Sequence, residues 1–309
     1  MAGITGQGTT YNLPNFVGEL FSITPTETPF LSAIGGLTGG VKTNATKFAI
    51  ETYDLPAPSQ PAHLEGQTAP TASARVRSQV YNVVQIFHET IEVSYTKQAA
   101  IGNISGVSIL GNQPVKDELT WQTERALEKI ARDVEYTFLQ GVFNDPTDNT
   151  TARKTRGILT AITTNVVNAA GAAISKALFE QLLWTMYQNG APFSDKCVIL
   201  LNGNQLNKLA EIYGYAPADR NVGGLQLKQI FTNFGAFPIM LNRYMPTDVI
   251  AIVDLKVCAP VILEIPGKGF LFREELAKTG ASTKYQIYGE IGLQHGPEIY
   301  HGKIIGLAA

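Results

Sequence analysis

Residues 46–95 read TKFAIETYDLPAPSQPAHLEGQTAPTASARVRSQVYNVVQIFHETIEVSY. Both ends alternate apolar and polar residues with the period of a β-strand. In the first arm Phe48 and Ile50 oppose Lys47 and Glu51; in the second, Phe87, Ile91, Val93 and Tyr95 oppose His88, Thr90, Glu92 and Ser94, with Glu89 the one break in the apolar face. The two arms read as a long β-hairpin. Between them, residues 56–75 supply no apolar core and carry Pro56, Pro58, Pro61 and Pro70, out of 16 prolines in the chain. A structureless connection of about 20 residues does not belong inside a compact domain unless it works outside that domain. The second arm, residues 76–95, would span about 66 Å if extended throughout at about 3.3 Å per residue, several times the usual strand. Such an arm is expected to reach beyond its own subunit.

On the N-terminal side, residues 1–40 hold 8 of the 29 glycines and seven threonines, and read as an extended arm. Two short helical signals interrupt it. Asn15-Phe-Val-Gly-Glu-Leu-Phe puts Phe16, Val17, Leu20 and Phe21 on one side, and Thr28-Pro-Phe-Leu-Ser-Ala-Ile-Gly-Gly has a Thr cap, an early Pro and a closing Gly. On the C-terminal side, a Gly/Ser/Asn loop at 102–112 leads into the strongest helix, residues 114–140, about 40 Å long. Its apolar stripe is Leu119, Thr123, Ala126, Leu127, Ile130, Val134 and Phe138. The other faces carry Glu128, Lys129, Asp133 and Glu135 among many charges, with Glu128 and Arg132 spaced for an i,i+4 pair. The pattern then predicts a helix over 176–188, a strand at 197–201, a helix over 204–213 and strands at 238–242 and 249–253, together a compact α/β unit over 176–255. Strand patterns return at 261–265, 270–272, 285–293 and 299–307. All four are expected in a sheet beside the long helix, which makes the α/β unit an insertion.

Composition narrows the function. Lys plus Arg number 24 against 26 Asp plus Glu, a formal net charge of −2, which disfavours a dedicated DNA reader. Only 16% of residues are charged, which suits a surface meant to be covered. The N-terminus lacks the basic and apolar regions of a secretory signal, and no apolar run approaches a membrane span. The sequons at Asn44, Asn103 and Asn149 therefore carry no meaning, and Cys197 and Cys258 read as reduced core residues.

A catalytic constellation is hard to find. His295, Glu298 and His301 have tolerable spacing for metal ligands, but with no Cys or Asp partner nearby they read as structural. Gly102-Asn-Ile-Ser-Gly lacks the pattern of a nucleophile elbow, and neither Gly267-Lys-Gly nor Asn202-Gly-Asn-Gln can form a Walker A loop. Arg75 and Arg77 at the return of the proline-rich segment can meet a carboxylate on a neighbour or merely solubilise the arm.

The order of elements, with the strings Thr24-Pro-Thr-Glu-Thr-Pro-Phe-Leu-Ser-Ala-Ile-Gly-Gly, Gln85-Ile-Phe and Glu128-Lys-Ile-Ala-Arg-Asp-Val-Glu-Tyr, resembles the tailed-bacteriophage major capsid protein family. The resemblance implies an α+β capsid fold with five parts: an N-terminal arm (1–40), a projecting hairpin or E-loop (41–100), a P-domain (101–175) with a spine helix at 114–140, an inserted A-domain (176–255), and a return to the P-domain (256–309). It implies a non-enzymatic shell protein without cofactor or metal, made in the bacterial host cytoplasm and ending in the virion. The chain would assemble with itself into hexamers and pentamers of an icosahedral shell, with each E-loop over an adjacent subunit. Portal, scaffold and cement proteins and non-specific contact with packaged double-stranded DNA are the further expected partners, and no membrane. Because the arm starts at Met1 without a helical scaffold ahead of it, a built-in scaffold is not expected. Expected contact residues at the hairpin tip are Pro58, Pro61, His63, Glu65, Arg75 and Arg77. Two alternatives stand beside this reading: a bacterial nanocompartment shell of the encapsulin type, and a hydrolase with an unrecognised Ser/His site.

Overall fold

The structure, a computed structural model, describes residues 26–99, 118–213, 216–222 and 225–308. The helical signal at 15–21, the Ser105 loop and the first turn expected for the long helix lie outside these residues. In chain order the described elements begin with α1 (Pro29–Ala33), β1 (Val41–Thr43), β2 (Lys47–Tyr53), β3 (Arg77–Val83), β4 (Gln85–Ser94), α2 (Tyr95–Ala99), α3 (Glu118–Gln140), α4 (Ile158–Ala161) and β5 (Val166–Asn168). There follow α5 (Lys176–Gln188), β6 (Cys197–Leu201), α6 (Gly203–Tyr213), β7 (Ala216–Val222), β8 (Leu225–Thr232), β9 (Gly235–Leu241), β10 (Ile250–Asp254), β11 (Ala259–Leu263), β12 (Leu271–Glu275), β13 (Ser282–Gln294) and β14 (Gly302–Ile305).

Among the described residues, one sheet is built around β13, which pairs antiparallel with β4 along one edge and with β11 and β12 along the other; β1 adds to β11 in parallel. The helix α3 lies on this sheet. Ala126, Ile130, Val134 and Phe138 are buried against a cluster that includes Phe87, Ile91 and Val93 of β4 and Ile287 and Ile291 of β13. The 3.6-residue stripe thus meets the period-two face that the sequence marked, the standard way two amphipathic elements close a core. Glu89, the break in that face, is no defect: its carboxylate accepts from Lys129 Nζ of α3 at 2.5 Å.

Among the described residues a second sheet has seven strands in the order β5-β14-β10-β6-β9-β8-β7. β6 and β10 are buried at every position, and their side chains alternate between two cores. Cys197, Ile199, Leu201, Ile250 and Ile252 face the cluster beneath α5 and α6, whereas Val198, Leu200, Ala251 and Val253 belong to the cluster of α3. The sequence places α5 accurately because both of its ends are coded. Ser175 Oγ accepts from Leu178 N at 3.3 Å. At the other end Gly190 takes φ +85, with Ala191 N donating to Met186 O at 2.9 Å and Gly190 N to Tyr187 O at 3.1 Å, the two bonds of a Schellman stop.

Several expectations are corrected. Residues 76–95 are not one projecting arm: they divide at Val84, so β3 belongs to the hairpin while β4 is held by β13 over the whole stretch 85–94. The terminal strand β14 joins β10 and β5 in the seven-stranded sheet, not the sheet of α3, because Ile304 packs under α5. Leu127 is 36% exposed and lies off the buried stripe. Arg132 does not pair with Glu128, which bonds Arg125 at 2.9 Å; Arg132 Nε reaches the Tyr244 hydroxyl at 2.9 Å. Glu135, grouped by the sequence with the charges outside the apolar stripe, is fully buried. Cys197 and Cys258 are buried free thiols as expected, and burial pushes the Cys197 thiol up to about 12.

Candidate subunit interface

The hairpin β2–β3 runs in register from Lys47 opposite Val83 to Tyr53 opposite Arg77, and beyond that pair the chain leaves the ladder. Every residue from Tyr53 to Tyr81 is exposed. One turn organises the tip: Gln67 N donates to Leu64 O at 3.1 Å, Leu64 N donates to Gln67 Oε1 at 2.9 Å, and Gly66 adopts φ +77. Proline locks φ and removes donors, so the remainder is an open strand without a ladder of its own.

All six nominated contact residues are exposed, but they do not converge on a point. Pro58, Pro61, His63 and Glu65 follow one another along the outgoing half of the tip, whereas Arg75 and Arg77 stand on its return. Arg75 Nη1 donates to Ser73 Oγ at 2.9 Å, and Arg77 lies 3.7 Å from Glu51 across the ladder. Sequence reasoning favoured polar and proline residues and missed the apolar ones. Leu64 is 82% exposed, Val76 80%, Tyr53 73% and Leu55 63%. Burying one such side chain contributes about 1.5–3 kcal/mol, so this row outweighs surface ion pairs of about 0–1 kcal/mol each. The signal was available: apolar residues in a proline-rich segment with no local partner are surface open to another molecule.

Whereas the tip is free, the root is clamped. Asn82, fully buried, donates from Nδ2 to Leu293 O at 2.7 Å and to Arg156 O at 3.2 Å. Its Oδ1 accepts from Arg156 N at 2.8 Å, Val83 N at 2.9 Å and Thr155 Oγ1 at 3.3 Å. Thr155 Oγ1 in turn accepts from Leu293 N at 3.2 Å, so hairpin, β13 and the 155–156 loop share one satisfied polar network. Beside it, Gly292 gives the hairpin a close seat: a Cβ there would lie 2.8 Å from Val83 O and 2.9 Å from the Phe48 ring. Lys47 Nζ completes the root through Asp145 at 2.6 Å. A lone Asn inside the apolar run Val80-Tyr-Asn-Val-Val was the sequence signal for this clamp.

The histidine pair is turned inward. His301 Nδ1 accepts from Asp254 N at 3.1 Å and its Nε2 donates to His295 O at 2.6 Å, which fixes a neutral ring; His295 Nδ1 donates to Gly296 O at 2.8 Å. Glu298 accepts from the amides of Thr163 and Thr164. Among the described residues no group of three His, Cys, Asp or Glu side chains gathers as metal ligands. Burial, with a smaller contribution from His301, lowers the His295 pKa from 6.5 to about 4. The unfolded chain therefore takes up this proton first, and stability falls as pH drops from 6.5 to about 4, by about 3 kcal/mol from this residue. Urea unfolding across that window should lose less stability in His295→Asn than in the parent. The difference cancels groups common to both chains, such as Glu135, whose raised pKa acts in the opposite sense. Parallel pH profiles would refute it.

A family model described as the SU10 major capsid protein matches residues 3–308. The major capsid protein of Escherichia phage Phieco32 is 25% identical over 346 aligned positions, which cover 91% of this chain and 90% of that protein. In fold, a chain of the cyanophage A-1(L) capsid asymmetric unit superposes with a TM-score of 0.71 at 11% identity, over 96% of this chain and 98% of that one. The SrpI encapsulin of Synechococcus elongatus PCC 7942 gives a TM-score of 0.61 at 12% identity, over 96% and 92%.

Proposed function

The chain belongs to the SU10 major capsid protein family, and from that premise we propose that its hairpin is an intersubunit strap in a shell of hexamers and pentamers around double-stranded DNA. The chain is a major capsid protein of a tailed phage, and so a component of the virion. The finer reading rests on one observation above all: residues 53–81 are exposed without interruption and carry Tyr53, Leu55, Leu64 and Val76, while the root at Asn82 is fully buried. A rigid root with an uncovered apolar tip is what a neighbouring copy completes. Pro58, Pro61, His63, Glu65, Arg75 and Arg77 line the same strap and are its proposed polar and proline contacts. Within this reading residues 1–40 act as an arm, 41–100 as the E-loop, 101–175 and 256–309 as the P-domain and 176–255 as the A-domain, with β5 and β14 lent to the A-domain sheet from either side. Synthesis in the host cytoplasm, and encounters with portal, scaffold and cement proteins, belong to the same proposal.

Near-neutral charge suits a container that holds nucleic acid without gripping it. Likeness to the encapsulin shares the fold, and particle contents separate the two readings: nuclease-protected DNA for a capsid, cargo protein for a nanocompartment. The deciding experiment is electron microscopy of the concentrated protein with and without a separate scaffold. Closed shells, with density for the hairpin crossing onto an adjacent subunit, are expected. A chain that stays monomeric under every assembly condition would overturn the proposal.

A further inference from the structure

Three segments meet on one carboxylate. Glu135, in the last turns of α3, is fully buried, and among the described residues no cation pairs with it. Its Oε1 accepts from Phe30 N at 2.9 Å and from Asn242 Nδ2 at 2.5 Å, and its Oε2 accepts from Leu31 N at 2.6 Å. Phe30 and Leu31 follow Pro29 in the first turn of α1, whose own cap residue Thr28 makes no side-chain cap bond. A helix of five residues is far below the length that holds itself together in water, so α1 depends on its burial and on the cap supplied by Glu135. Burial favours the protonated acid here, while the amides of Leu31 and Phe30 and the Asn242 side chain favour the carboxylate.

Asn242 belongs to the turn that follows β9. Its Oδ1 accepts from Tyr244 N at 2.9 Å, so the side chain that reaches Glu135 also shapes the turn, while its backbone N donates to Leu201 O at 3.0 Å and ties the turn to β6. Further bonds bring the same turn to the helix and the arm. Gln140 Nε2 donates to Tyr244 O, Arg132 Nε donates to the Tyr244 hydroxyl, and Arg243 Nε lies 3.1 Å from Glu27.

We propose that Glu135 is a latch that holds the arm clip α1 and the 242–245 turn on α3 together, so that unseating either segment loosens the other. The coupling is reciprocal, as any linkage between two equilibria must be. It is a property of the single subunit and stands apart from the strap reading: a pull on the arm is felt in the seven-stranded sheet, and a shift of that sheet is felt in the arm.

Amide hydrogen exchange on the full chain tests this in both directions. In Glu135→Gln one acceptor oxygen becomes a donor, and protection at Phe30, Leu31 and Tyr244 should fall together by about tenfold or more. In Asn242→Ala, which leaves Glu135 and both arm amides in place, Phe30 and Leu31 should still lose protection several-fold. Loosening of residues 242–245 in Asn242→Ala with unchanged protection at Phe30 and Leu31 would overturn the latch, as would loss confined to the arm in Glu135→Gln. If Glu135→Gln does not fold, Glu135→Asp keeps the charge on a shorter stem and is read at the same amides by the same criteria.

Discussion

A chain lacking residues 58–74 should fold and unfold as cooperatively as the parent, yet no longer close into shells. The cut removes Pro58, Pro61, His63, Leu64 and Glu65 and leaves Asp54, Leu55, Pro56, Ala57, Arg75 and Val76 to join β2 to β3. None of the deleted residues touches either core: all are exposed, and their hydrogen bonds stay within the tip. Shortening the connection lowers its closure entropy, which favours the folded subunit by about 1 kcal/mol. What disappears is Leu64 and the reach of the tip beyond the last ladder pair, the part of the proposed strap that extends furthest from its own subunit. Circular dichroism melts report the first half of the expectation, and sedimentation with electron microscopy the second. Loss of cooperative melting would assign the segment to its own core, and intact shells would remove the strap from the assembly mechanism.

Asn82→Ala should act at the other end of the same hairpin, on stability. Truncation removes the side-chain partner of Leu293 O and Val83 N, both in buried bonds, and of Arg156 N in a part-buried one. Each orphaned buried group costs about 1–3 kcal/mol, so a loss of about 3 kcal/mol or more in urea unfolding is expected. On the exposed rail, Arg77→Ala removes only a 3.7 Å ion pair in solvent and should change stability by less than about 0.5 kcal/mol. Equal effects at the two positions would mean that Asn82 is not a clamp. The contrast matters for function because a strap transmits force only if its root does not give.

How far the sequence carried these conclusions varied with the distance over which the deciding contact acts. The helix at 176–188 and the strand at 197–201 were legible to the residue, since Ser175, Asn189 and Gly190 encode the helix ends locally and Cys197–Leu201 is an unbroken apolar run. The hairpin was legible in its pairing but not in its extent. Residues 77–83 and 85–94 were read as one arm, and what makes the second half a sheet strand is β13, some two hundred residues later. Glu135 was misread for the same reason, because a charge on an amphipathic helix looks solvated until Phe30, Leu31 and Asn242 arrive from far along the chain. At the tip the sequence reading passed over part of the chemistry. Pro58, Pro61 and the two arginines were named, whereas Tyr53, Leu55, Leu64 and Val76 are large apolar side chains left exposed there.

The strands β6 and β10 send alternate side chains into two cores, one beneath α5 and α6 and one beneath α3. Such a shared wall leaves no seam along which half the subunit could melt and later refold. A disturbance that strips Val198 or Val253 from its neighbours also shifts the backbone that positions Ile199 and Ile252 on the opposite face. The layer of α5 and α6 is therefore not a lodger that can come and go: its failure is the failure of the whole subunit.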